Sequence, residues 1–384
     1  MSALNDVVTE GLTASQRVYL AQFHEDVGYL DHARVGPVSA AVADAGIRVY
    51  SALANAGDRT IDALMVAEDE ALTGAAGLLG LRYDQVVFSP STSAGLFQAA
   101  FALPRRLPGA GLPRVVVSAG EFPANLYPWW RAAQAGLITV DGLAPSPITA
   151  DVVRPAMSAD TAAIVVSAVD YTTGYRADLA ALREVAGDAL LIVDAIQGLG
   201  VVDQDWTAAD VIVAGGQKWL RSGWSSGVIG CSDRALERLE PLLAGWTGVV
   251  DPAVYDYSEH PLAPGAARLS ETNTSPIAHA AFAAGLALLD SVGVPWVQGR
   301  INKRVEALID VIDAAGAVLT SPRRTEQRAG IVSFSVPGLT GQDLHTKLTR
   351  EGVTCTRHGD RVRLAVHATT SAEATQRVKA ALSG

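Results

Sequence analysis

The chain has 384 residues, of which 49% are hydrophobic, and its formal net charge is −10. This length and apolar content allow one large domain and a smaller one around a sizeable buried core, and they exclude a disordered chain. The negative charge argues against a nucleic-acid partner or an anionic membrane surface.

Short β-branched runs alternate with helical stretches over the first 230 residues. Continuous apolar strands that alternate with helices indicate a parallel sheet covered on both faces. The predicted strands are 86–88, 115–119, 163–169, 190–195, 210–216 and 227–231. The predicted helices are 40–56, 60–79, 93–102 and 178–187.

From about residue 276 the pattern changes to one typical of a small α+β domain. Its predicted elements are helices at 277–291 and 296–315, a strand at 330–336, a helix at 341–351, a strand at 361–366 and a last helix at 371–382. The chain is therefore divided into an N-terminal segment (1–27), a large α/β domain (28–275) and a small C-terminal domain (276–384).

The cysteines and the N-terminal residues lead to further expectations. Cys231 and Cys355, the only cysteines, lie far apart without metal-ligand neighbours, so neither a disulfide framework nor a metal site is expected. The N-terminus lacks the basic start and apolar core of a signal peptide. No apolar run reaches the ~18–20 residues that span a bilayer. We therefore expect a soluble, cytoplasmic protein.

The segment S-P-S-T-S-A-G (89–95) lies between a predicted strand and a predicted helix. Amides and hydroxyls at a helix N-terminus can bind an anion, and Thr92 and Ser93 are the natural contacts. Taken alone the signal is weak, because a serine or threonine before a helix is usually an N-cap.

Asp194 ends a buried strand, and we expect a turn into a helix to follow it. A carboxylate at the end of an apolar strand costs several kcal/mol of desolvation unless a cation pairs with it. The alternative is that Asp194 caps the helix after it.

Lys218 ends the next buried run, 210–219, among small and apolar residues. Its charged form is disfavoured there, so its pKa should fall, which is the condition for a nucleophilic amine. The alternative is a surface lysine whose stem packs on apolar neighbours. Since ligands bind beyond the carboxyl ends of parallel strands, Asp194, Gln197 and Lys218 can converge on one small molecule.

This set matches the needs of a pyridoxal phosphate (PLP) enzyme. Such an enzyme uses a lysine for a Schiff base and an acid to keep the pyridine nitrogen protonated. Gln197 would hydrogen-bond the phenolic oxygen of the cofactor, and Phe122 would stack on its ring. The alternative for Phe122 is packing against the sheet, which we prefer for the neighbouring Tyr127, Trp129 and Trp130.

Arginines near the C-terminus are candidates for binding a substrate carboxylate. Arg361 and Arg363 lie two residues apart on the same face of a predicted strand. One of them, preferably Arg363, would bind an α-carboxylate through two hydrogen bonds, and Arg357 is a further candidate.

In this order, the segments resemble the class V aminotransferase family over roughly residues 28 to 380. The matching segments are S-T-S-A-G, G-E-F-P-x-N-L-Y, V-D-A-I-Q-G-L-G, A-G-G-Q-K-W-L, E-T-N-T-S-P and R-V-R-L-A-V-H. The resemblance implies the fold-type I PLP architecture and PLP as the cofactor. The family includes cysteine desulfurases, kynureninases and isopenicillin N epimerase-like proteins.

The resemblance implies a role for each matching residue around the cofactor. Lys218 would form the Schiff base, Asp194 would pair with the pyridine nitrogen, and Gln197 would contact the phenolic oxygen. The other cofactor contacts implied are Phe122 at the ring face, Thr92 and Ser93 at the phosphate, and Gln217 beside the lysine. Thr272 would reach the phosphate bound by the partner subunit, which implies a homodimer. Arg363 would bind the substrate carboxylate.

Some positions depart from the desulfurase pattern. Gln217 stands where many desulfurases have histidine, and Ala168 follows Ser167 where they have an asparagine near the ring. Cys355 does not align with the desulfurase persulfide loop, so sulfur transfer to a protein acceptor is not expected.

His32 and Arg34 fall in a segment that lines the active site in the family. Both are therefore candidates for substrate binding. Arg34 is unusual in that motif and would tune substrate choice. A structural role for both residues is an equal alternative.

The prediction is a PLP-dependent enzyme that acts on an α-amino acid through a Cα carbanion. A lyase is preferred, for example one that cleaves a C–S bond by β-elimination. An aminotransferase and an amino-acid epimerase are alternatives within the family. A non-catalytic PLP-binding or sensing protein is the alternative of another class, and a nucleotide-binding protein lacks the expected glycine-rich motifs.

Overall fold

The computed structural model describes residues 11–104, 111–144 and 147–383. A seven-stranded sheet forms its centre, and the strand order is β1–β7–β6–β5–β4–β2–β3. These strands are β1 (Val86–Phe88), β2 (Arg114–Ser118), β3 (Thr139–Leu143), β4 (Thr161–Ser167), β5 (Leu190–Asp194), β6 (Val211–Gly215) and β7 (Gly227–Cys231).

Helices cover the sheet, and the predicted α/β class with a mainly parallel sheet is confirmed. The helices before β7 are α1 (Ala14–Ala21), α2 (Ala40–Ala54), α3 (Thr60–Leu79), α4 (Thr92–Phe101), α5 (Tyr127–Gln134), α6 (Ala150–Val153) and α7 (Leu179–Ala186). Those after it are α8 (Asp233–Arg238), α9 (Pro276–Asp290), α10 (Val294–Ala314), α11 (Gly341–Arg350) and α12 (Ala372–Ser383).

Strands β5 and β6 are buried along their whole length, because the sheet is covered on both faces. They run parallel to each other, with Asp194 beside Val213, so their carboxyl ends lie at the same edge of the sheet. β7 runs antiparallel to β6. A parallel crossover needs a dozen or more residues and usually contains a helix. The connection between β6 and β7, residues 216–226, contains no helix, which accounts for the antiparallel direction of β7.

A second, antiparallel sheet lies near the C-terminus in the order β10–β11–β9–β8. Its strands are β8 (Val318–Leu319), β9 (Ile331–Ser335), β10 (Thr356–His358) and β11 (Arg361–Ala365). Residues near the start of the large domain reach this sheet, since Tyr29 bridges to Thr354 and Asp31 bridges to Ala365. Residues far apart in the chain are thereby brought to one place.

The boundary between the large and small domains stays a prediction. Helix α9, which was assigned to the small domain, packs against α2 and α3. Its Phe282 lies edge-on to Phe88 of the large sheet, with 5.8 Å between the ring centroids.

Among the described residues, no single helix is both long and apolar enough to cross a membrane. Only α9 and α10 taken together, which are bent by 78° relative to each other, reach that length and composition.

Candidate active site

A cavity of about 420 Å³ lies beyond the carboxyl ends of β5 and β6. Its volume falls in the range of about 300–1,000 Å³ that is usual for small-molecule sites. The predicted site residues that line it are Arg34, Thr92, Ser93, Phe122, Asp194, Gln197, Gln217, Lys218 and Arg363. The structure therefore brings together most of the side chains selected from the sequence.

Lys218 lies in the connection between β6 and β7, just beyond the end of β6. The chain has four lysines, and Lys218 is the one among them that lines the cavity. Burial lowers the pKa of its amine to about 8, although the nearby Asp194 carboxylate opposes that shift. Nζ lies 5.4 Å from the centroid of the Phe122 ring. A large fraction of Lys218 is therefore neutral near pH 8 and can act as a nucleophile or base.

Asp194 is the buried last residue of β5. Burial raises the pKa of its carboxyl to about 6, against the opposing effects of the Ile196 amide, 3.0 Å from Oδ1, and of Lys218. The helix predicted after Asp194 is wrong, since residues 196–201 form a turn. The turn brings Gly200 against Leu220, where a Cβ atom would lie 2.5 Å from Cδ2. A glycine at φ +84° suits this turn and would be unfavourable in a helix.

The amide of Gln197 is held in one orientation by two neighbours. Its Nε2 donates to the Ala33 carbonyl at 3.0 Å. Its Oε1 accepts a hydrogen bond from the Trp219 indole at 2.6 Å. One N–H of the amide remains to donate to a ligand oxygen.

Thr92 and Ser93 form the first turn of α4, but neither of them is its N-cap. Ser91 is the N-cap, and its hydroxyl accepts the Ala94 amide at 3.1 Å. The capping interpretation therefore applies to Ser91 and leaves Thr92 and Ser93 free for an anion. The Thr92 hydroxyl is buried and has no hydrogen-bond partner among the described residues. Its place at a helix N-terminus suits a phosphate.

Arg363 lies in β11 with its side chain buried. Nη1 donates to the Tyr171 carbonyl at 2.7 Å, and Nη2 lies 3.4 Å from the Asp31 carboxylate. Burial lowers the pKa of the guanidinium, and the Asp31 carboxylate opposes this effect. In the part of the chain that the structure describes, Nε has no partner, which leaves it free for a ligand carboxylate.

Arg357 and Arg361, the other two arginines considered, do not line this cavity. Arg357 is exposed in β10, where its neighbours Thr356 and His358 face the cavity. Because successive side chains of a strand point to opposite faces, Arg357 points away from it. Arg361 is exposed and lines a separate cavity.

His32 and Arg34 have different environments, although only one residue separates them. His32 is fully buried outside the cavity lining, where Nδ1 hydrogen-bonds the Ala365 carbonyl at 3.0 Å. Its ring stacks on His367 with 5.2 Å between centroids. These contacts support the structural alternative for His32. Arg34 lines the cavity.

Thr272 lies outside the cavity and is exposed, and its hydroxyl accepts from the Trp246 indole at 3.4 Å. Its contact with the phosphate of a partner subunit stays a prediction. Both cysteines are buried, and burial raises the pKa of each thiol to about 12. Neither cysteine lines the cavity.

Three further aromatic residues line the cavity and were not selected from the sequence. Tyr171 lies edge-on between Phe122 and His358, at centroid distances of 5.2 and 5.8 Å. Trp224 is 68% exposed at the same cavity. Tyr171 follows the end of β4 at the edge that carries Asp194, and this position is a signal that could have identified it.

Glu121 is a buried acid next to Phe122 that was also missed. Its carboxylate accepts the Ser167 amide at 2.9 Å and Nδ2 of Asn125 at 3.1 Å, and it also bonds the Ser167 hydroxyl. Burial nevertheless raises the pKa of Glu121 to about 7. These bonds tie the loop that carries Phe122 to the end of β4.

The model of the family Aminotransferase class-V matches residues 28–382. A kynureninase from Deinococcus radiodurans is 26% identical over 283 residues, which cover 71% of this chain and 67% of that protein. A probable cysteine desulfurase from Pyrococcus abyssi is 24% identical over 304 residues, which cover 75% and 73%. The sequence resemblance is thereby confirmed.

Solved structures of PLP enzymes have the same fold. The cystine C–S lyase C-DES, in complex with its product cysteine persulfide, has a TM-score of 0.84 at 17% identity and covers 92% of this chain and 97% of its own. The cysteine desulfurase CsdA from Escherichia coli has a TM-score of 0.81 at 19% identity, with 97% and 98% covered. These likenesses confirm the predicted fold-type I architecture.

Proposed function

The chain belongs to the class V aminotransferase family, whose cofactor is pyridoxal 5'-phosphate, and on this premise we propose that it is a lyase that eliminates a β-substituent from an α-amino acid. The observation that carries the proposal is the placement of Lys218 and Asp194 at neighbouring strand ends in one cavity, where burial shifts the pKa of both groups. Perturbed acids and bases in a cavity are typical of catalytic sites.

The donors and acceptors of the cavity fit the cofactor. Thr92, whose buried hydroxyl lacks a partner in the described chain, would bind the phosphate together with Ser93. Asp194 would pair with the ring nitrogen, and Gln197 would donate its free N–H to the phenolic oxygen. Phe122 would contact the ring face.

Two further residues would complete the cofactor site. Lys218 would hold the cofactor covalently through Nζ. Gln217, whose carbonyl accepts the Gly36 amide at 2.8 Å, lines the cavity beside it.

When bound, the cofactor supplies an electron-withdrawing ring that stabilises negative charge at the substrate Cα. Lys218 would remove the Cα proton, since its lowered pKa leaves much of the amine neutral near pH 8. Arg363 would orient the substrate by binding its α-carboxylate through Nε and a neighbouring N–H. Asp194 would hold its negative charge next to the ring nitrogen.

The environment of the cysteines supports a lyase over a sulfur-transfer enzyme. Sulfur transfer through a protein persulfide needs an accessible thiolate. Cys231 and Cys355 are both buried outside the cavity, and burial keeps their thiols protonated. Elimination needs no protein thiol. One of the similar structures is that of a cystine C–S lyase.

Product analysis tests the proposed reaction. The PLP-loaded protein, incubated with S-substituted cysteines, is expected to release pyruvate and ammonia in equal amounts over many turnovers, as measured by coupled assays. Transfer of the amino group to an added 2-oxo acid would instead identify an aminotransferase. Exchange of the Cα hydrogen with D₂O and loss of stereochemistry, without pyruvate, would identify an epimerase. Either of these results contradicts the lyase.

We also propose that a second copy of this chain completes the site. Thr272 lies outside its own cavity, as expected for a residue that serves the partner subunit. In addition, α2 and α3 expose large apolar side chains, including Ile47, Tyr50, Ile61 and Met65. Exposed apolar patches of this kind typically mark interfaces between proteins.

Complementation between two inactive variants tests this arrangement. Thr272→Ala is expected to weaken PLP binding, and mixing it with Lys218→Ala should restore activity above that of either parent. In a mixed dimer, one site combines an intact Lys218 with the intact Thr272 of the other subunit. The solution mass should be twice the 40.0 kDa of one chain by light scattering. A monomer, or no gain on mixing, contradicts the proposal.

A further inference from the structure

Arg34 is a positively charged residue of the cavity wall. In the proposed arrangement neither the cofactor nor the substrate α-carboxylate contacts it. Arg34 is exposed to solvent at the rim of the cavity that Lys218 also lines, and among the described residues its side chain forms no hydrogen bond or ion pair. Its backbone is well fixed, since its amide donates to the Asp31 carbonyl at 2.9 Å and the adjacent Ala33 carbonyl binds Gln197. The Arg34 side chain therefore extends from a fixed backbone position beside the site.

Arg34 lies on the side of the cavity that carries Arg363. The pKa of Arg363 is lowered chiefly by burial, and the positive charge of Arg34 adds to the effect. Two positive charges at one cavity favour a ligand with negative charge there. Asp31 contacts Arg363 at 3.4 Å, and the α-carboxylate would satisfy its Nε. Arg34 then still lacks an anion.

His358 is a second unused donor on the same side. Its Nε2 is buried and has no partner among the described residues. Burial lowers the pKa of the imidazole, and the charge of Arg363 adds to this shift. The neutral ring can carry its proton on Nε2 and donate it to an oxygen of the substrate.

The nearby carboxylates are already engaged. The Thr356 hydroxyl donates to the Asp31 carboxylate at 2.8 Å, and Arg363 contacts the same carboxylate. Asp194 lies with the residues assigned to the cofactor ring. Among the described residues that line the cavity, no carboxylate is left to pair with Arg34. The free groups of this part of the cavity that can donate to an anion are Arg34, His358 and the Tyr171 hydroxyl.

We propose that Arg34, assisted by His358, binds a second acidic group, so that the substrate is an α-amino acid with a negatively charged side chain. The inference deepens the proposed function and rests on it for the orientation of the substrate. Arg363 takes the α-carboxylate, and Arg34 selects the side chain.

A matched pair of substrates isolates the charge of the side chain. S-(carboxymethyl)cysteine and S-(carbamoylmethyl)cysteine have nearly the same shape, and only the first is acidic. The wild-type protein should prefer the acid by about 10- to 100-fold in kcat/KM, the range expected for a charge-assisted hydrogen bond. In Arg34→Gln the ratio should fall to near one, and Arg34→Lys should retain part of it. His358→Ala should reduce it to an intermediate value.

Two other arginines serve as controls. Arg357→Gln, on the outward face of β10, should keep the wild-type ratio. Arg363→Lys should lower kcat/KM for the acid and the amide together, because both carry the α-carboxylate. Equal rates for the two compounds in wild type, or an unchanged ratio in Arg34→Gln, would overturn the proposal.

A binding measurement separates this proposal from the proposed reaction. Succinate and butyrate differ in one carboxylate, and their binding to the PLP-loaded protein is measured from the change in its visible absorption, without turnover. Succinate should bind at least tenfold more tightly to wild type, and Arg34→Gln should lose this difference. If succinate binds more tightly than butyrate but no pyruvate forms, the proposed lyase reaction is wrong and the proposed subsite at Arg34 is supported. If pyruvate forms but succinate and butyrate bind equally well, the proposed subsite at Arg34 is wrong.

Discussion

Replacing Lys218 with alanine is expected to abolish covalent PLP binding and to lower kcat/KM by at least about 10³-fold. The variant loses both the amine that would hold the cofactor and the base that would take the Cα proton, and a positioned base alone contributes about 10²–10⁴-fold. Borohydride reduction followed by peptide mass spectrometry measures the attachment. Wild type should carry the reduced cofactor on the peptide that contains Lys218.

Lys303→Ala is the matched control for this substitution. Lys303 is exposed on α10 and does not line the cavity, so its variant should retain the visible band and the adduct. An adduct that persists in Lys218→Ala, or one that maps to another lysine in wild type, contradicts the assignment. If wild type forms no adduct after PLP is added, the proposal that this protein is a PLP-dependent enzyme is wrong.

Replacing Asp194 with asparagine should lower kcat/KM of the PLP-loaded enzyme by roughly 100-fold. Asparagine keeps the shape of the side chain but removes the charge beside the ring nitrogen, and a buried charge-assisted hydrogen bond of up to about 3 kcal/mol is lost. The visible band and the Lys218 adduct should remain, because the lysine is intact. Full activity in this variant would contradict the role of Asp194.

The same substitution should have the opposite effect on the stability of the cofactor-free protein. Burial raises the pKa of Asp194 from 3.8 to about 6, so the folded state holds a proton that the unfolded state loses between these values. The free energy of unfolding of the wild type therefore falls as the pH rises through this window, by about 3 kcal/mol in total. Asparagine does not titrate, so the variant escapes this loss.

Urea unfolding of the cofactor-free proteins at pH 4 and pH 8 measures the difference. The gain in stability of Asp194→Asn over wild type should be larger at pH 8 by up to about 3 kcal/mol. Glu121, whose pKa is raised to about 7 chiefly by burial, adds a loss of the same sign in both proteins. The Asp194 charge also raises the pKa of Glu121 and of Lys218, so the difference between the two proteins reports Asp194 together with its effect on these neighbours. If the stability difference between Asp194→Asn and wild type is the same at both pH values, burial of the Asp194 charge does not destabilise the folded protein.

Most helices and strands were predictable, because their signals are local. The pattern of residues 60–79 predicts α3 with the same bounds, since the helix ends where Gly80 adopts a left-handed conformation at φ 68°. β3 was missed because this edge strand contains Asp141 and Gly142, which interrupt any apolar run. The helix expected after Asp194 failed because a close tertiary approach at Gly200 requires a turn.

By itself, the sequence determined the family, the α/β architecture and the positions of Asp194 and Lys218. Asp194 ends one short apolar run and Lys218 follows another by three residues, and parallel strands place such ends at one edge of the sheet. This inference needs only the chain order and the direction of the strands. The segments around both residues also carry the most specific part of the family resemblance.

Only the tertiary structure decided which of the neighbouring candidates enter the cavity: Arg34 rather than His32, and Arg363 rather than Arg357. The chain turns directly after Asp31, where the Arg34 amide donates to the Asp31 carbonyl, so His32 and Arg34 point to different sides. Arg363 lies opposite Thr356 in the paired strands β10 and β11, whereas Arg357 lies opposite Val362, and partners distant in sequence set which of these positions faces the cavity. The bridge between Asp31 and Ala365 is such a pairing. No local pattern encodes it, so the sequence named Arg34 and His32 as equal candidates, and only the folded chain separated them and added His358.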